Sequence, residues 1–103
     1  MNKVVVSLFA LAGALAQPAF AQDAETLLNS KACLACHKTD TQLVGPSYQA
    51  IAEKYADDEN AVEMLAGKIR NGSQGVWGQI PMPPNQVTED EARVLAEWVM
   101  EQN

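Results

Sequence analysis

The only two cysteines and the only histidine of this 103-residue chain fall within five consecutive positions, Cys33-Leu34-Ala35-Cys36-His37. Cys-x-x-Cys-His is the spacing by which a polypeptide attaches a c-type haem. Thiols about one helical turn apart reach the two vinyl groups of one porphyrin edge as thioethers, and the next residue presents an imidazole to the iron. Covalent anchorage and one axial ligand thus come from a single short segment. Three other uses of these residues fit less well. A thioredoxin-like dithiol needs a βαβ setting that the sequence lacks. A disulfide across two intervening residues closes too short a loop to restrain the unfolded chain. A zinc site would be short of ligands, because adjacent Cys36 and His37 cannot easily share one tetrahedron.

A lone histidine leaves the sixth iron position to a donor elsewhere, and the candidate is Met82 in Ile80-Pro81-Met82-Pro83-Pro84-Asn85. A thioether is a soft, neutral ligand that favours ferrous iron, so a His/Met pair raises the reduction potential. The flanking prolines fix φ and exclude helix, which would hold the sulfur on a stiff strap. Met64 and Met100 lie in helical stretches, where core packing is the usual role. Residue type alone leaves Met82 as either a ligand or a gap-filling side chain.

The elements that position these residues read as helices, because no segment alternates apolar and polar residues long enough to hold a sheet. The expectation is an all-α fold of four short helices. The first starts after Asp23 as cap and presents Ala24, Leu27 and Leu28 at helical spacing. The second follows Pro46 with Ser47 as cap, turns Tyr48, Ile51, Ala52 and Tyr55 to the core, and frays at Asp57-Asp58. The third has Asn60 and Glu63 at capping-box spacing, acidic residues 57–59 at its positive end, Lys68 and Arg70 at its negative end, and Asn71-Gly72 as a stop. The fourth opens on Thr88-Glu89-Asp90-Glu91, a Thr-x-x-Glu capping box, and carries Val94, Leu95, Trp98 and Val99 as its apolar stripe. Trp98 is expected to pack against Leu27 or Leu28.

Residues 72–87, between the third and fourth helices, hold three glycines, three prolines, Trp77 and Met82, with neither period. A connection of 16 residues is long for a compact domain. Val76, Trp77, Ile80 and Met82 are too apolar for a solvated tail, so this loop should lie against an apolar surface that the helices cannot supply alone.

Chain length allows one domain. Residues 1–21 carry a secretory leader pattern: Lys3, a 13-residue uncharged apolar run from Val4 to Ala16, a break at Gln17-Pro18, and Ala19-Phe20-Ala21 as the cleavage signature. A spanning anchor would need about 20 apolar residues. Cleavage after Ala21 leaves residues 22–103 with 6 basic and 13 acidic side chains, a net charge of −7. That excess argues against nucleic-acid binding, and 48% apolar content argues against disorder. A domain this small needs a staple beyond its own core, which again points to a bound cofactor.

With these residues in view, the chain resembles the small bacterial class I cytochromes c of the c551/c552 type. The likeness rests on Cys33 to His37, Val44-Gly45-Pro46 and, most specifically, Asn71 to Asn85, with no departure at the motif positions. It implies four helices around one covalently bound haem c, with Cys33 and Cys36 attached and His37 and Met82 as axial ligands. It also implies that the Pro46 carbonyl accepts from the His37 ring, that the Asn85 side chain contacts the Met82 sulfur, and that the Trp77 indole reaches a propionate. For Trp77, ordinary core filling is the competing role. Lys68 and Arg70 sit where a propionate could use them, but the C-terminal end of their helix is the stronger reading.

The resemblance implies a soluble periplasmic one-electron carrier, not an enzyme. Its partners would be redox proteins, such as a terminal reductase or oxidase and an upstream cytochrome or copper protein, with the carrier itself a monomer. Leu34, Leu43, Val44, Ile80, Pro81, Pro83 and Pro84 would surround the haem edge as an uncharged contact patch, although Ile80 and Leu43 could equally point inward. A haem enzyme or gas sensor would need an open sixth position and a distal acid, base or second histidine, and the chain has no second histidine.

Overall fold

The computed structural model describes residues 23–103; the expected leader lies outside the described residues. Four α-helices follow in order: α1 (Ala24–Ser30), α2 (Tyr48–Lys54), α3 (Ala61–Asn71) and α4 (Glu89–Met100). A 3-10 turn at Cys33–Ala35 separates α1 from α2. Among the described residues no helix is long and apolar enough to cross a membrane.

Each helix start has a local cause. Asp23 Oδ1 accepts from the Thr26 N–H at 2.8 Å, and Ser47 Oγ from the Ala50 N–H at 3.0 Å. At Thr88 the reciprocal box is complete: Glu91 N–H donates to Thr88 Oγ1 (3.1 Å), and Thr88 N–H donates to Glu91 Oε1 (2.8 Å). The box expected at Asn60 does not form. Asn60 sits at φ −100°, ψ 12°, outside the extended conformation that aims a cap side chain over the first turn, and makes no side-chain cap bond. Asp58 intervenes instead, its carboxylate accepting the Asn60 N–H at 2.8 Å. The second helix also stops at Lys54, three residues ahead of the acidic pair expected to fray it.

The core gathers Leu27 and Leu28 of α1, Tyr48 and Ile51 of α2, Leu65 of α3, and Leu95, Ala96 and Val99 of α4. Helix α4 packs on all three others, most extensively on α3. Ala92 and Ala96 are fully buried and let the neighbouring backbones come close. Trp98 is half-buried at the rim of this core, and its aromatic partner is Tyr48, met edge-on with centroids 4.9 Å apart.

The strap between α3 and α4 returns to its own start. Asn85 N–H and Asn85 Nδ2 both donate to the Ile69 carbonyl, at 3.1 and 3.0 Å. Arg70 Nη1 lies 3.1 Å from Glu89 Oε1 across the base. Inside this neck, Ser73 and Met82 form an isolated antiparallel bridge, Ser73 N–H to Met82 O at 3.0 Å and Met82 N–H to Ser73 O at 2.8 Å. The strap is thus a closed Ω-like loop. Gly72 makes the closure possible, with φ +84° and a backbone so near that a Cβ would stand 2.7 Å from the Met82 carbonyl oxygen.

Candidate haem-binding site

The five-residue motif is built on a sharp turn. Ala32, at φ 60°, is a non-glycine residue in the left-handed region, at a cost on the order of 1 kcal/mol. It ends the run of α1 and starts the 3-10 turn, after which the Cys36 and His37 N–H groups both donate to the Cys33 carbonyl, at 3.2 and 3.0 Å. Cys33 and Cys36 are free, half-buried thiols. Burial pushes the Cys33 thiol above the ordinary range.

The segment after His37 folds back over it. Gly45 N–H donates to the Cys36 carbonyl at 2.8 Å, and Tyr48 N–H to the Lys38 carbonyl at 2.9 Å. This return brings the Pro46 carbonyl oxygen to 2.7 Å from His37 Nδ1. A carbonyl only accepts, so Nδ1 carries the proton and donates, which leaves the Nε2 lone pair for a metal. Gly45 lies against the same ring: a Cβ there would come within 2.6 Å of His37 Cε1. Tyr48 stacks on the imidazole, centroids 5.3 Å apart and planes 29° from parallel.

Met82, half-buried, is held by its bridge to Ser73. The Asn85 amide, which the family likeness puts on the Met82 sulfur, here donates to the backbone carbonyls of Ile69 (3.0 Å) and Pro83 (3.4 Å). Trp77 is 42% exposed, which removes ordinary core filling as its role. Lys54 Nζ lies 5.3 Å from the centre of the Trp77 ring and 5.8 Å from that of Tyr55.

The seven expected site residues therefore fall into two groups. Cys33, Cys36, His37 and Pro46 are tied together by local hydrogen bonds, while Trp77, Met82 and Asn85 belong to the strap. Helix α2 joins the groups: its first residue, Tyr48, touches His37, and its last, Lys54, touches Trp77, about 9 Å further along the axis. Of the cations considered for a propionate, Arg70 is engaged with Glu89. Gly45, Tyr48 and Lys54 escaped sequence reasoning as contacts of the site. Val44-Gly45-Pro46 was the one signal that pointed towards any of them.

A cytochrome c family model matches residues 21–103. The chain belongs to the cytochrome c family. Cytochrome c-551 of Stutzerimonas stutzeri is 58% identical over 101 residues, covering 97% of each chain. Cytochrome c-552 of Nitrosomonas europaea is 49% identical over 90 residues, covering 86% of this chain and 87% of that one. The crystal structure of the wild-type Nitrosomonas europaea cytochrome c552 superposes with a TM-score of 0.75 at 49% identity, over 77% of this chain and 99% of that one.

The all-α expectation and the resemblance to the c551/c552 type both hold. As a cytochrome c, the chain takes one covalently bound haem c and the electron-transport activity that goes with its iron. Its residues fit that group. With Nδ1 engaged by Pro46, Nε2 is the ring nitrogen left for a metal, next in sequence to two free thiols, and the Tyr48 hydroxyl is buried without a partner among the described residues. Burial first, then the neighbouring Cys33 and Cys36 sulfurs, raises the Tyr48 phenol above its ordinary range and keeps it neutral. The segments carrying the motif and strap also hold Leu34, Leu43, Val44, Val76, Trp77 and Ile80, all between 40% and 68% exposed.

Proposed function

We propose that this cytochrome c is a soluble, monomeric one-electron carrier of the periplasm. In this reading Cys33 and Cys36 would hold the haem as thioethers, and His37 and Met82 would be its axial ligands. The observation that carries it is the His37 Nδ1–Pro46 hydrogen bond of 2.7 Å, which fixes the tautomer and aims Nε2 as the donor. When bound, the haem supplies an iron that alternates between ferrous and ferric states.

The chain's own residues keep that exchange simple. Pro46 strengthens His37 as a donor by taking the Nδ1 proton into a hydrogen bond. The bridge to Ser73 and the flanking prolines hold Met82 on a stiff strap, so the ligand set need not rearrange with oxidation state. Trp77 offers its indole N–H to a propionate, and Asn85 steadies the strap from which the Met82 sulfur is presented.

The apolar side chains on the motif and strap would serve as the contact patch for redox partners, which include a terminal reductase or oxidase and an upstream cytochrome or copper protein. The expected leader at residues 1–21 accounts for export, and residues 22–103 form the mature domain. A haem enzyme or gas sensor would need a distal acid or base. The sequence has no second histidine, and both arginines are engaged, Arg70 with Glu89 and Arg93 with Glu63.

The ligand set is tested with Met82 variants of the holoprotein. Met82→Ala should abolish the near-infrared sulfur-to-iron charge-transfer band of the ferric protein and let the ferrous form bind carbon monoxide. Met82→His should stay folded with a substantially lower potential, because nitrogen favours ferric iron more than a thioether does. An unchanged band in the alanine variant and an unchanged potential in the histidine variant would remove Met82 from the iron.

A further inference from the structure

The hydrogen bond to Pro46 pins one atom of the His37 ring, and one pinned atom does not set the tilt of a plane. Gly45 limits movement on the Cε1 side, since its backbone leaves no room even for a methyl group there. What lies across the face of the ring is Tyr48, stacked at 5.3 Å.

Tyr48 is itself immobilised. Its side chain is buried, with the residue only 3% exposed. Its N–H is bonded to Lys38, the residue after His37, and its ring abuts the edge of Trp98 on α4 at 84°. Three elements thus converge on one aromatic ring, and that ring bears on the imidazole.

Plain core filling needs only apolar bulk, which a leucine supplies. A flat ring is what leucine cannot provide.

We infer that Tyr48 is a positioning residue for His37: its ring fixes the orientation of the imidazole plane, and Trp98 on α4 backs it. This rests on the reading of His37 as an axial ligand. The orientation of that plane governs how the imidazole overlaps the iron d orbitals, and so how unpaired spin spreads over the four pyrroles of the ferric haem.

The test compares wild-type holoprotein with Tyr48→Phe, which keeps the ring, and Tyr48→Leu, which removes it. The readouts are the paramagnetically shifted haem methyl resonances of the ferric protein and the near-infrared sulfur-to-iron band. Tyr48→Phe should keep the wild-type order and spread of the four methyl shifts. Tyr48→Leu should change their order or spread while the sulfur band persists. Should Tyr48→Leu yield no holoprotein, Tyr48→Met, which has bulk but no plane, takes its place with the same expectation. A wild-type methyl pattern in the ring-less variant overturns the inference, as does a pattern disturbed equally in Tyr48→Phe. Loss of thermal stability alone does not bear on the choice, since any core residue would show it. If wild-type protein lacks the sulfur band or loses no axial nitrogen signature in His37→Gly, it is the ligation reading that fails.

Discussion

Gly45 shows how far a single atom reaches in this molecule. With the built Cβ 2.6 Å from His37 Cε1, Gly45→Ala must displace either the imidazole or the returning loop that brings Pro46 to it. Overpacking of this kind costs about 1–3 kcal/mol, so thermal unfolding of the alanine variant should begin clearly below wild type. With His37 as the proposed axial ligand, the ferric spectrum should also report a weakened nitrogen ligand. The motif residues were legible because their chemistry is written in type and spacing: two thiols and an imidazole in five positions. Gly45 and Tyr48 were not, because their roles depend on how residues 38–47 fold back, and that path is fixed by backbone bonds such as Gly45 N–H to Cys36 O. Ala32 gives even less warning, since nothing in an alanine announces a left-handed backbone.

At the scale of elements, the helix starts carry different kinds of stability. Thr88→Ala removes one half of a reciprocal box and should cost about 1 kcal/mol in chemical denaturation. The Asp23 cap depends on charge. Its hydrogen bond to the Thr26 N–H holds the carboxyl below the ordinary aspartate range. A depressed folded-state value means that the stabilisation is present above the ordinary aspartate pKa and is lost as pH falls through the lowered one. Asp23→Asn keeps a capping oxygen that does not titrate, so in acid its helical signal should fall less than that of wild type over that interval. Helices α1 and α4 were readable because cap and apolar period agree. At α3 the cap residue types were present, yet Asp58 took the Asn60 N–H first, a competition between neighbours that spacing alone does not resolve. The Ser73–Met82 bridge was hidden for another reason: two residues pair across the strap without any alternating pattern around them.

For the whole molecule, the contrast is between charge and the lack of it. The net charge of −6 for the full chain resides largely on helix starts, such as residues 57–59 and 89–91. Leu34, Leu43, Val44 and Ile80 form an exposed apolar set on the segments that carry the motif and strap. A long-range field steers approach and is screened by salt, whereas a docked apolar contact is not. Leu34→Glu should therefore slow electron transfer to the physiological partner by about tenfold, or about 1.4 kcal/mol of barrier, with potential and stability nearly unchanged. Salt should alter the wild-type rate only modestly. A rate that collapses with ionic strength while Leu34→Glu behaves as wild type would move docking to the cations, beginning with Lys31, Lys38 and Lys68.

The pair of backbone bonds between Ser73 and Met82 also makes the strap a clock. The Met82 amide proton is sequestered by the Ser73 carbonyl at 2.8 Å, so it can exchange with solvent only when the neck parts. Its exchange therefore reports how often the neck of the strap is open. If Met82 is the proposed ligand and its departure requires this opening, denaturant should accelerate amide exchange and the iron's gain of an external ligand by the same factor. A Met82 amide that stays protected while carbon monoxide enters freely would mean that the sulfur swings away on its own side chain, with the neck still shut.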